Sequence, residues 1–390
     1  MLERERVRIA AVFGTRPEAV KMAPLVSELS LRPDLFELHV IVTAQHREML
    51  DQVLDIFSIA PEYDLGIMRE RQSLTGILTR ALTGLESVFA KISPDLVLVH
   101  GDTSTTLAAS LASFYAQVKL GHVEAGLRSQ DKYNPFPEEM NRKLTAALAD
   151  LHFAPTARQR KNLEAESIDP SGIFVTGNTV IDALLRTALT DRPPTMGEAD
   201  WSRLDGRRVI LVEVHRRENL GRPMLEICRA IRQIVDEYED LLVVFPVHRN
   251  PEVRTAVRSV LSNHDRVVLL DPVDYRTMVH LIKSSYLVMT DSGGLQEEAP
   301  ALGKPVLVLR SVTERPEGLE AGTLRLAGVE YGGILECARQ LLDDANEYAR
   351  MATAINPYGD GQASRRIADA IAYTFNLSSQ PPEPFDPGIW

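Results

Sequence analysis

The sequence is poor in the residues and segments that mark several large protein classes. It has two cysteines in 390 residues, Cys228 and Cys337, and both fall in stretches typical of amphipathic helices. A disulfide framework is therefore not predicted, and each cysteine is expected to fill a small space in a core. No run approaches the roughly 18 apolar residues of a membrane span, and the N-terminal M-L-E-R-E-R-V-R-I is not an apolar signal segment. We expect a cytoplasmic protein without a membrane partner.

Positively charged residues are fewer than negatively charged ones. The chain has 43 Lys and Arg residues against 54 Asp and Glu residues, which gives a formal net charge of −11. This balance argues against nucleic acid or an anionic membrane as the main partner. If the ligand carries phosphate, basic residues must be concentrated locally.

The length and the hydrophobic pattern predict two α/β domains. A chain of 390 residues exceeds one ordinary core. Continuous apolar strands alternate with amphipathic helices, which favours two Rossmann-like, doubly wound parallel sheets. We predict a first domain over residues 1–189, a linker over 190–206, a second domain over 207–362 and a loose tail over 378–390. The predicted strands are 8–13, 37–43, 95–99, 119–123, 152–154, 209–214, 241–247, 266–270, 286–290 and 305–309.

Three carboxylates of the front half lie at strand ends or at a helix start, where ligands of such sheets bind. They are Asp102, Glu124 and Glu138. Asp102 is also compatible with a helix N-cap, and Glu138 with a favourable interaction with a helix dipole. Together the three indicate general acid and base chemistry. Arg16 and Lys21, after the first strand, are compatible with anion binding or with an ordinary strand-to-helix turn.

The rear half places positive charge and glycine at strand ends. His215 is followed by two arginines, and Ser292, Gly293 and Gly294 join a strand to a helix. The glycines would let a phosphate approach the backbone N–H groups of the helix start. Glu298, about one turn later, is suited to accept hydrogen bonds from ribose hydroxyls. The stretch is neither a dinucleotide fingerprint nor a Walker loop, and a plain capped helix start is the alternative.

Motifs along nearly the whole chain resemble those of the non-hydrolysing UDP-N-acetylglucosamine 2-epimerases. The motifs are F-G-T-R-P-E-A-V-K-M-A-P, Q-H-R-E-M-L-D-Q, H-V-E-A-G-L-R-S, P-F-P-E-E-M-N-R, H-R-R-E-N, D-S-G-G-L-Q-E-E-A-P, T-E-R-P-E-G and N-P-Y-G-D-G-Q-A-S. The resemblance implies two domains in a GT-B arrangement with the substrate in the cleft between them. It also implies a final helix at about 363–375 that packs back on the first domain, and a homodimer that serves cell-surface polysaccharide biosynthesis.

By this resemblance, the reaction inverts C2 of UDP-N-acetylglucosamine to give UDP-N-acetylmannosamine. It proceeds through elimination of UDP to 2-acetamidoglucal and re-addition, without a cofactor or a metal. The residues that match catalytic positions are Asp102, Glu124, Glu138 and His215. Those that match UDP-binding positions are Arg16, Lys21, Val273, Met278, Ser292, Gly293, Gly294, Glu298 and Arg315. Those that match the site of an activating second UDP-N-acetylglucosamine are Gln45, Glu48, Arg71, Arg216 and His248.

The sequence departs from the family pattern at three places. Glu213 replaces a common Thr, Met278 replaces a Phe near the uracil, and residues 310–315 read R-S-V-T-E-R instead of the common R-D-T-T-E-R. Alternative functions are an epimerase of a 2,3-diacetamido uronic acid UDP-sugar, a hydrolysing epimerase and a GT-B glycosyltransferase. A sugar-nucleotide sensor without activity is a further alternative, against which the four catalytic matches count.

Overall fold

The computed structural model describes residues 6–44, 47–69 and 72–388, without the side chains of residues 47–49. It contains one sheet of seven strands and one of six, and every neighbouring pair of strands is parallel. The strands of the first sheet are β1 Val7–Phe13, β2 Phe36–Val42, β3 Tyr63–Asp64, β4 Leu96–His100, β5 Lys119–Val123, β6 Leu151–Ala154 and β7 Ile173–Val175. Those of the second are β8 Arg208–Glu213, β9 Leu241–Pro246, β10 Val267–Leu270, β11 Leu287–Thr290, β12 Val306–Val308 and β13 Leu324–Leu326.

Helices follow most of the strands. Their bounds are α1 Arg16–Ser30, α2 Arg47–Ile56, α3 Leu74–Ile92, α4 Ser104–Tyr115, α5 Glu138–Leu148, α6 Ala157–Ala165, α7 Thr179–Ala188, α8 Arg222–Glu237, α9 Pro251–Leu261, α10 Tyr275–Ser284, α11 Gly293–Ala301, α12 Pro316–Glu320, α13 Tyr331–Asp343, α14 Ala345–Ala352 and α15 Ala363–Thr374. No helix of the described residues is both long enough and apolar enough to cross a membrane.

The strand order of each sheet identifies where a ligand would bind. The first sheet runs β3-β2-β1-β4-β5-β6-β7 and the second runs β10-β9-β8-β11-β12-β13. Both orders reverse once, between β1 and β4 in the first sheet and between β8 and β11 in the second. Ligands of doubly wound sheets bind beyond the carboxyl ends of the strands at such switch points. The predicted doubly wound fold is therefore confirmed for each sheet.

Helix α3 shows how the apolar pattern decides burial. The sequence predicts one buried face that starts at Leu74, and the structure buries Ile77, Ala81 and Leu85 on it. Leu74 is 44% exposed, which corrects that prediction at the first residue of the helix. The face is completed by Val88, Phe89 and Ile92. Its period of three to four residues is that of a helix packed on a sheet.

Contacts between Cα atoms divide the chain into two compact units. The first unit comprises the described residues up to Ala183 together with Gly359–Gly388, and the second comprises Leu184–Tyr358. The division falls inside α7, because Leu184 and Ala188 pack into the core of the second unit. Residues 190–206 were predicted as a linker, yet Met196 and Trp201 are buried in that same core.

Residues 359–388, near the end of the chain, belong to the first unit. In α15, the backbone N–H groups of Ala363 and Ser364 donate to Asp182, at 3.1 and 2.8 Å. The end of the chain was predicted as a loose tail, but Phe385 is buried and its N–H donates to the carbonyl of Val175 at 2.8 Å. Phe385 thus fixes part of a Pro-rich segment. The composition of the segment alone does not predict this contact.

Both cysteines contact the core of the second unit, as predicted. Cys228 is buried in it, and Cys337 packs partly buried against it. Burial raises the pKa of Cys228 to about 12. This thiol is therefore protonated at neutral pH and serves packing.

Candidate active site

The switch point of the first sheet is held together by one buried carboxylate. Oε2 of Glu18, in the first turn of α1, accepts from the backbone N–H groups of Gly14 at 3.0 Å and Thr15 at 2.8 Å. Oε1 accepts from the hydroxyls of Thr103 at 2.7 Å and Thr106 at 3.2 Å. A buried charge needs such partners. Because the donors lie in the loop after β1 and in the residues that join β4 to the first turn of α4, Glu18 fixes both segments.

Gly14 is needed here for close packing. The sequence suggests that it permits a tight turn, but its φ is not positive, and an added Cβ would overlap Oγ1 of Thr43 and lie 2.7 Å from Oγ1 of Thr105. The end of β1 therefore approaches its neighbours more closely than another residue would permit. Arg16, half buried, begins α1 two residues later.

Glu124 follows β5 and meets cationic and amide groups from three other segments. Its Oε2 forms an ion pair with Nζ of Lys21 in α1 and accepts from Nδ2 of Asn178 at 3.0 Å. Nε2 of the buried His100, at the end of β4, lies 3.6 Å from the same oxygen. The backbone of Glu124 has a φ of 61°, an uncommon conformation for a residue other than glycine. Such strain is typical of functional positions.

These contacts set the charge of Glu124. Burial alone would raise its pKa, but the Lys21 ammonium and the His100 imidazole hold the pKa well below its usual range. The carboxylate is therefore ionised at neutral pH and able to accept a proton.

Asp102, after β4, is held from α5. Its Oδ2 accepts from Nε of Arg142 at 2.8 Å and lies 2.6 Å from Nη2 of the same side chain. The Asp102 carbonyl accepts from Nδ2 of Asn141 at 2.8 Å. Arg142 also reaches Oε2 of the buried Glu139, at 3.3 Å. Asp102 is thus tied to the helix that begins with Glu138.

The two neighbouring glutamates of α5 have different environments. Glu139 is buried and accepts from the backbone N–H groups of Ser129 at 2.9 Å and Gln130 at 3.3 Å, so it holds the loop before the helix. Glu138 is half buried, and its carboxylate has no hydrogen-bond partner among the described residues. Of the two, Glu138 is therefore the one available to a ligand.

In the second unit, Asp291 anchors the loop that carries His215. It is fully buried at the end of β11 and accepts from the backbone N–H groups of His215, at 3.1 Å, and Arg216, at 2.9 Å. Nδ2 of Asn219 donates to it at 2.8 Å. Asp291 therefore joins the two strands, β8 and β11, that flank the second switch point.

The ring of His215 contacts two further titratable side chains. Its Nδ1 lies 2.5 Å from Oε1 of Glu213, and its ring stacks on that of His248 with centroids 5.5 Å apart. The hydrogen bond to Glu213 raises the pKa of His215 although burial acts in the opposite direction. The pKa of His248 is lowered, first by burial and then by His215.

The N-terminus of α11 has the features of an anion site. Ser292 precedes the helix without a side-chain cap, so the first N–H groups are available at its positive end. An added Cβ at Gly293 would lie 3.6 Å from Nη2 of Arg315 and 3.7 Å from Nη2 of Arg216. Two guanidinium groups therefore flank these N–H groups. Arg315 is held by an ion pair with the buried Glu297.

The remaining predicted UDP-binding residues lie on the same unit. An added Cβ at the exposed Gly294 would lie 3.6 Å from Oε2 of Glu298, so this carboxylate is close to the start of α11. Burial and then the Glu298 carboxylate raise the pKa of Tyr275 well above its usual value. Met278 and Val273 are half buried against the apolar core that α11 also contacts.

Among the described residues, Glu213, His215 and Asp291 form a group whose ligand-type atoms lie within 4.8 Å of one another. The oxygens of Asp291 already accept three N–H groups, and Glu213 faces Nδ1 of the His215 ring. A cation would have to displace these donors. We therefore interpret the group as the hydrogen-bonded support of His215.

The structure thus brings the predicted site residues into two groups, one on each unit. Asp102, Glu124, Glu138 and Lys21 lie at the carboxyl edge of the first sheet. Those that lie around His215 and the start of α11 are Arg216, His248, Ser292, Gly293, Gly294, Glu298 and Arg315. Val273 and Met278 pack against the apolar core of the same unit. Sequence reasoning missed His100, Asn178 and Arg142 as partners of the carboxylates. For Arg142 a signal existed, because it lies one turn after Glu138 on the same helix. Gln45, Arg71 and the side chain of Glu48, three predicted activator positions, lie outside the described residues.

Comparisons with known proteins point to one family. The family model described as UDP-N-acetylglucosamine 2-epimerase matches residues 28–372. The UDP-N-acetylglucosamine 2-epimerase of Escherichia coli K12 is 53% identical over 370 residues, which are 94% of this chain and 98% of the relative. The UDP-GlcNAc 2-epimerase of Neisseria meningitidis, solved bound to UDP-GlcNAc, is 47% identical with a TM-score of 0.86 over 93% of this chain and 99% of its own. S. aureus MnaA, solved with UDP, is 49% identical with a TM-score of 0.87 over 97% and 100%.

Proposed function

Because the chain belongs to the UDP-N-acetylglucosamine 2-epimerase family, we propose that it interconverts UDP-N-acetylglucosamine and UDP-N-acetylmannosamine. The observation that carries this proposal is the position of the Glu124 carboxylate at the switch point of the first sheet, where it forms an ion pair with Lys21 and accepts from Asn178. An enzyme that moves the weakly acidic C2 proton of a sugar needs a positioned carboxylate of this kind.

The reaction proceeds by elimination and re-addition. A carboxylate of the first unit removes the C2 proton, the C1–O bond breaks and a C1=C2 double bond forms. The electron pair of the broken bond leaves on the β-phosphate oxygen of UDP, so the intermediates are 2-acetamidoglucal and UDP. A proton delivered to C2 from the opposite face and re-addition of UDP at C1 then give the epimer. Asp102, Glu124 and Glu138 divide the base and acid roles between them.

The second unit supports departure and return of UDP. The N-terminus of α11 with Arg216 and Arg315 offers N–H donors and positive charge to a diphosphate. His215 adds a further donor at the neighbouring loop, and Glu298 is suited to accept from ribose hydroxyls. These groups stabilise the charge that develops on the leaving β-phosphate.

The first prediction concerns the products. Incubation with UDP-N-acetylglucosamine alone should give a stable mixture with UDP-N-acetylmannosamine, measured by proton NMR of the sugar anomeric signals. Release of free N-acetylmannosamine with UDP would instead identify a hydrolysing epimerase. If the substrate is converted only when a sugar acceptor is added, the result would favour a glycosyltransferase. If only a 2,3-diacetamido uronic acid UDP-sugar is turned over, the protein is an epimerase of that modified substrate.

A second prediction concerns activation by a second substrate molecule. Two of the residues that match activator positions, Arg216 and His248, contact the support and the ring of His215. A ligand bound there would therefore act directly on the diphosphate site. We expect the reverse reaction, from UDP-N-acetylmannosamine alone, to start with a lag that added UDP-N-acetylglucosamine removes. A full initial rate without the added nucleotide sugar would refute activation.

A further inference from the structure

Glu213 is the last residue of β8, two positions before His215. In an extended strand, the side chains of residues two positions apart point to the same side of the sheet. Oε1 of Glu213 lies 2.5 Å from Nδ1 of His215. The hydroxyl of Thr290, on the neighbouring strand, donates to the Glu213 carbonyl at 2.8 Å and lies 3.3 Å from Oε2. Glu213 is therefore held from the neighbouring strand, and it faces one defined nitrogen of the ring.

The other titratable and charged groups around His215 make their closest contacts elsewhere than at Nδ1. Asp291 lies 3.6 Å from Nδ1, but its oxygens accept the N–H groups of His215 and Arg216 and the amide of Asn219. It therefore fixes the loop rather than the ring. The ring of His248 stacks on His215, and Arg216 lies on the side of α11. Glu213 is thus the carboxylate whose closest contact is the imidazole itself.

The opposite end of the ring is open. The side chain of His215 is 37% exposed, and in the described part of the chain its Nε2 has no hydrogen-bond partner. A carboxylate on Nδ1 keeps the proton on that nitrogen and fixes the orientation of the ring. It also favours the imidazolium form, in which Nε2 carries a proton that it can donate to an anion.

We propose that Glu213 is a positioning residue, which holds His215 through Nδ1 so that Nε2–H donates to the diphosphate of UDP. This inference rests on the proposed function, because the diphosphate is that of the substrate and product. Glu213 touches no reacting atom itself and acts only through His215.

The test compares the wild type with Glu213→Gln, which preserves size and a hydrogen-bond acceptor but removes the charge. The free protein is labelled with ¹³C-histidine, the His215 signal is assigned by its loss in His215→Gln, and its titration is followed by NMR. We expect the His215 midpoint to fall by about one pH unit or more, the range for loss of an opposite charge in contact. Glu213→Asp, which keeps the charge, should restore part of the shift.

Calorimetric titration with UDP provides the second readout. UDP binding by the wild type should weaken as the pH rises through the His215 midpoint, and in Glu213→Gln this weakening should occur at lower pH. Below both midpoints the two proteins should bind UDP equally, which a misfolded variant would not do. The matched control is Glu62→Gln, since Oε2 of Glu62 lies 2.6 Å from Nδ1 of His39 at an exposed position of the first unit. It should leave both readouts unchanged.

An unmoved His215 midpoint in Glu213→Gln would overturn the inference, and so would a wild-type midpoint that shifts on addition of EDTA, which would identify a cation site. Neither readout requires turnover. Failure to form UDP-N-acetylmannosamine would therefore defeat the proposed function and leave the titration result standing, whereas an unmoved midpoint in an active epimerase would defeat this inference alone.

Discussion

Glu138→Gln should lower the turnover number by about 10²–10⁴-fold, the usual contribution of a positioned acid or base. Glu138 begins α5, is half buried and has no hydrogen-bond partner among the described residues, so its carboxylate is available to substrate. The amide keeps the shape but cannot exchange a proton at neutral pH. The turnover number is measured by coupled assay of UDP-N-acetylmannosamine formation, and UDP affinity by calorimetry.

The affinity for UDP and the thermal midpoint should stay unchanged in this variant, because Glu138 supports no other described group. Glu86→Gln, an exposed position of α3, is the matched control and should keep full activity. Glu139→Gln should behave differently and lower the thermal midpoint, since Glu139 is buried and accepts two backbone N–H groups. Near-normal turnover in Glu138→Gln would show that Glu138 is neither the base nor the acid.

Lys21→Met should lower kcat/KM at neutral pH by about 10²-fold or more, the lower end for loss of a positioned acid or base, because the Glu124 carboxylate, whose side chain is only 12% exposed, loses its cationic partner. In the wild type, the pKa of Glu124 lies well below its usual range. Its carboxylate is therefore ionised above that pKa, and the negative charge is lost only when the pH falls through the pKa and the group is protonated. Without the ammonium, burial dominates and raises this pKa. The acidic limb of the pH profile of kcat should consequently move to higher pH in Lys21→Met, and activity should partly recover at alkaline pH.

Lys91→Met provides the control, since Lys91 is an exposed lysine in the last turn of α3. Its pH profile should coincide with that of the wild type. A uniform loss of kcat in Lys21→Met, with the acidic limb in its wild-type position, would show that Lys21 does not set the charge of Glu124.

Most strands of the fold follow from the sequence, and three of the shortest do not. Residues 119–123 were predicted as a strand with the bounds observed for β5, and β1 differs from its prediction by one residue. The strands β3, β7 and β13 have two or three residues and were not predicted. So few positions cannot display a period, and these strands become regular only through pairing with a neighbouring strand of the sheet.

Individual residues of the site could be predicted from the sequence, but the contacts between them could not. Asp102 and Glu124 stand out because they follow strands at the edge where ligands bind, and Glu138 stands out because it begins a helix after two prolines. The partner of Glu124 could not be identified from sequence, since Lys21 lies 103 positions away and Asn178 follows the short β7. Glu213 stood out only as a departure from a family pattern, and its contact with His215 required coordinates. The homodimer and the cytoplasmic location stay predictions.

The most direct measurement is hydrogen exchange at C2 in D2O with UDP-N-acetylglucosamine as sole substrate. Proton NMR of the mixture should show deuterium at C2 of UDP-N-acetylmannosamine from the first turnovers, and later at C2 of the recovered substrate. Exchange is required if a side chain removes the C2 proton and another delivers a solvent-derived one. Formation of the epimer with its original C2 hydrogen, or no exchange at all, would contradict the account.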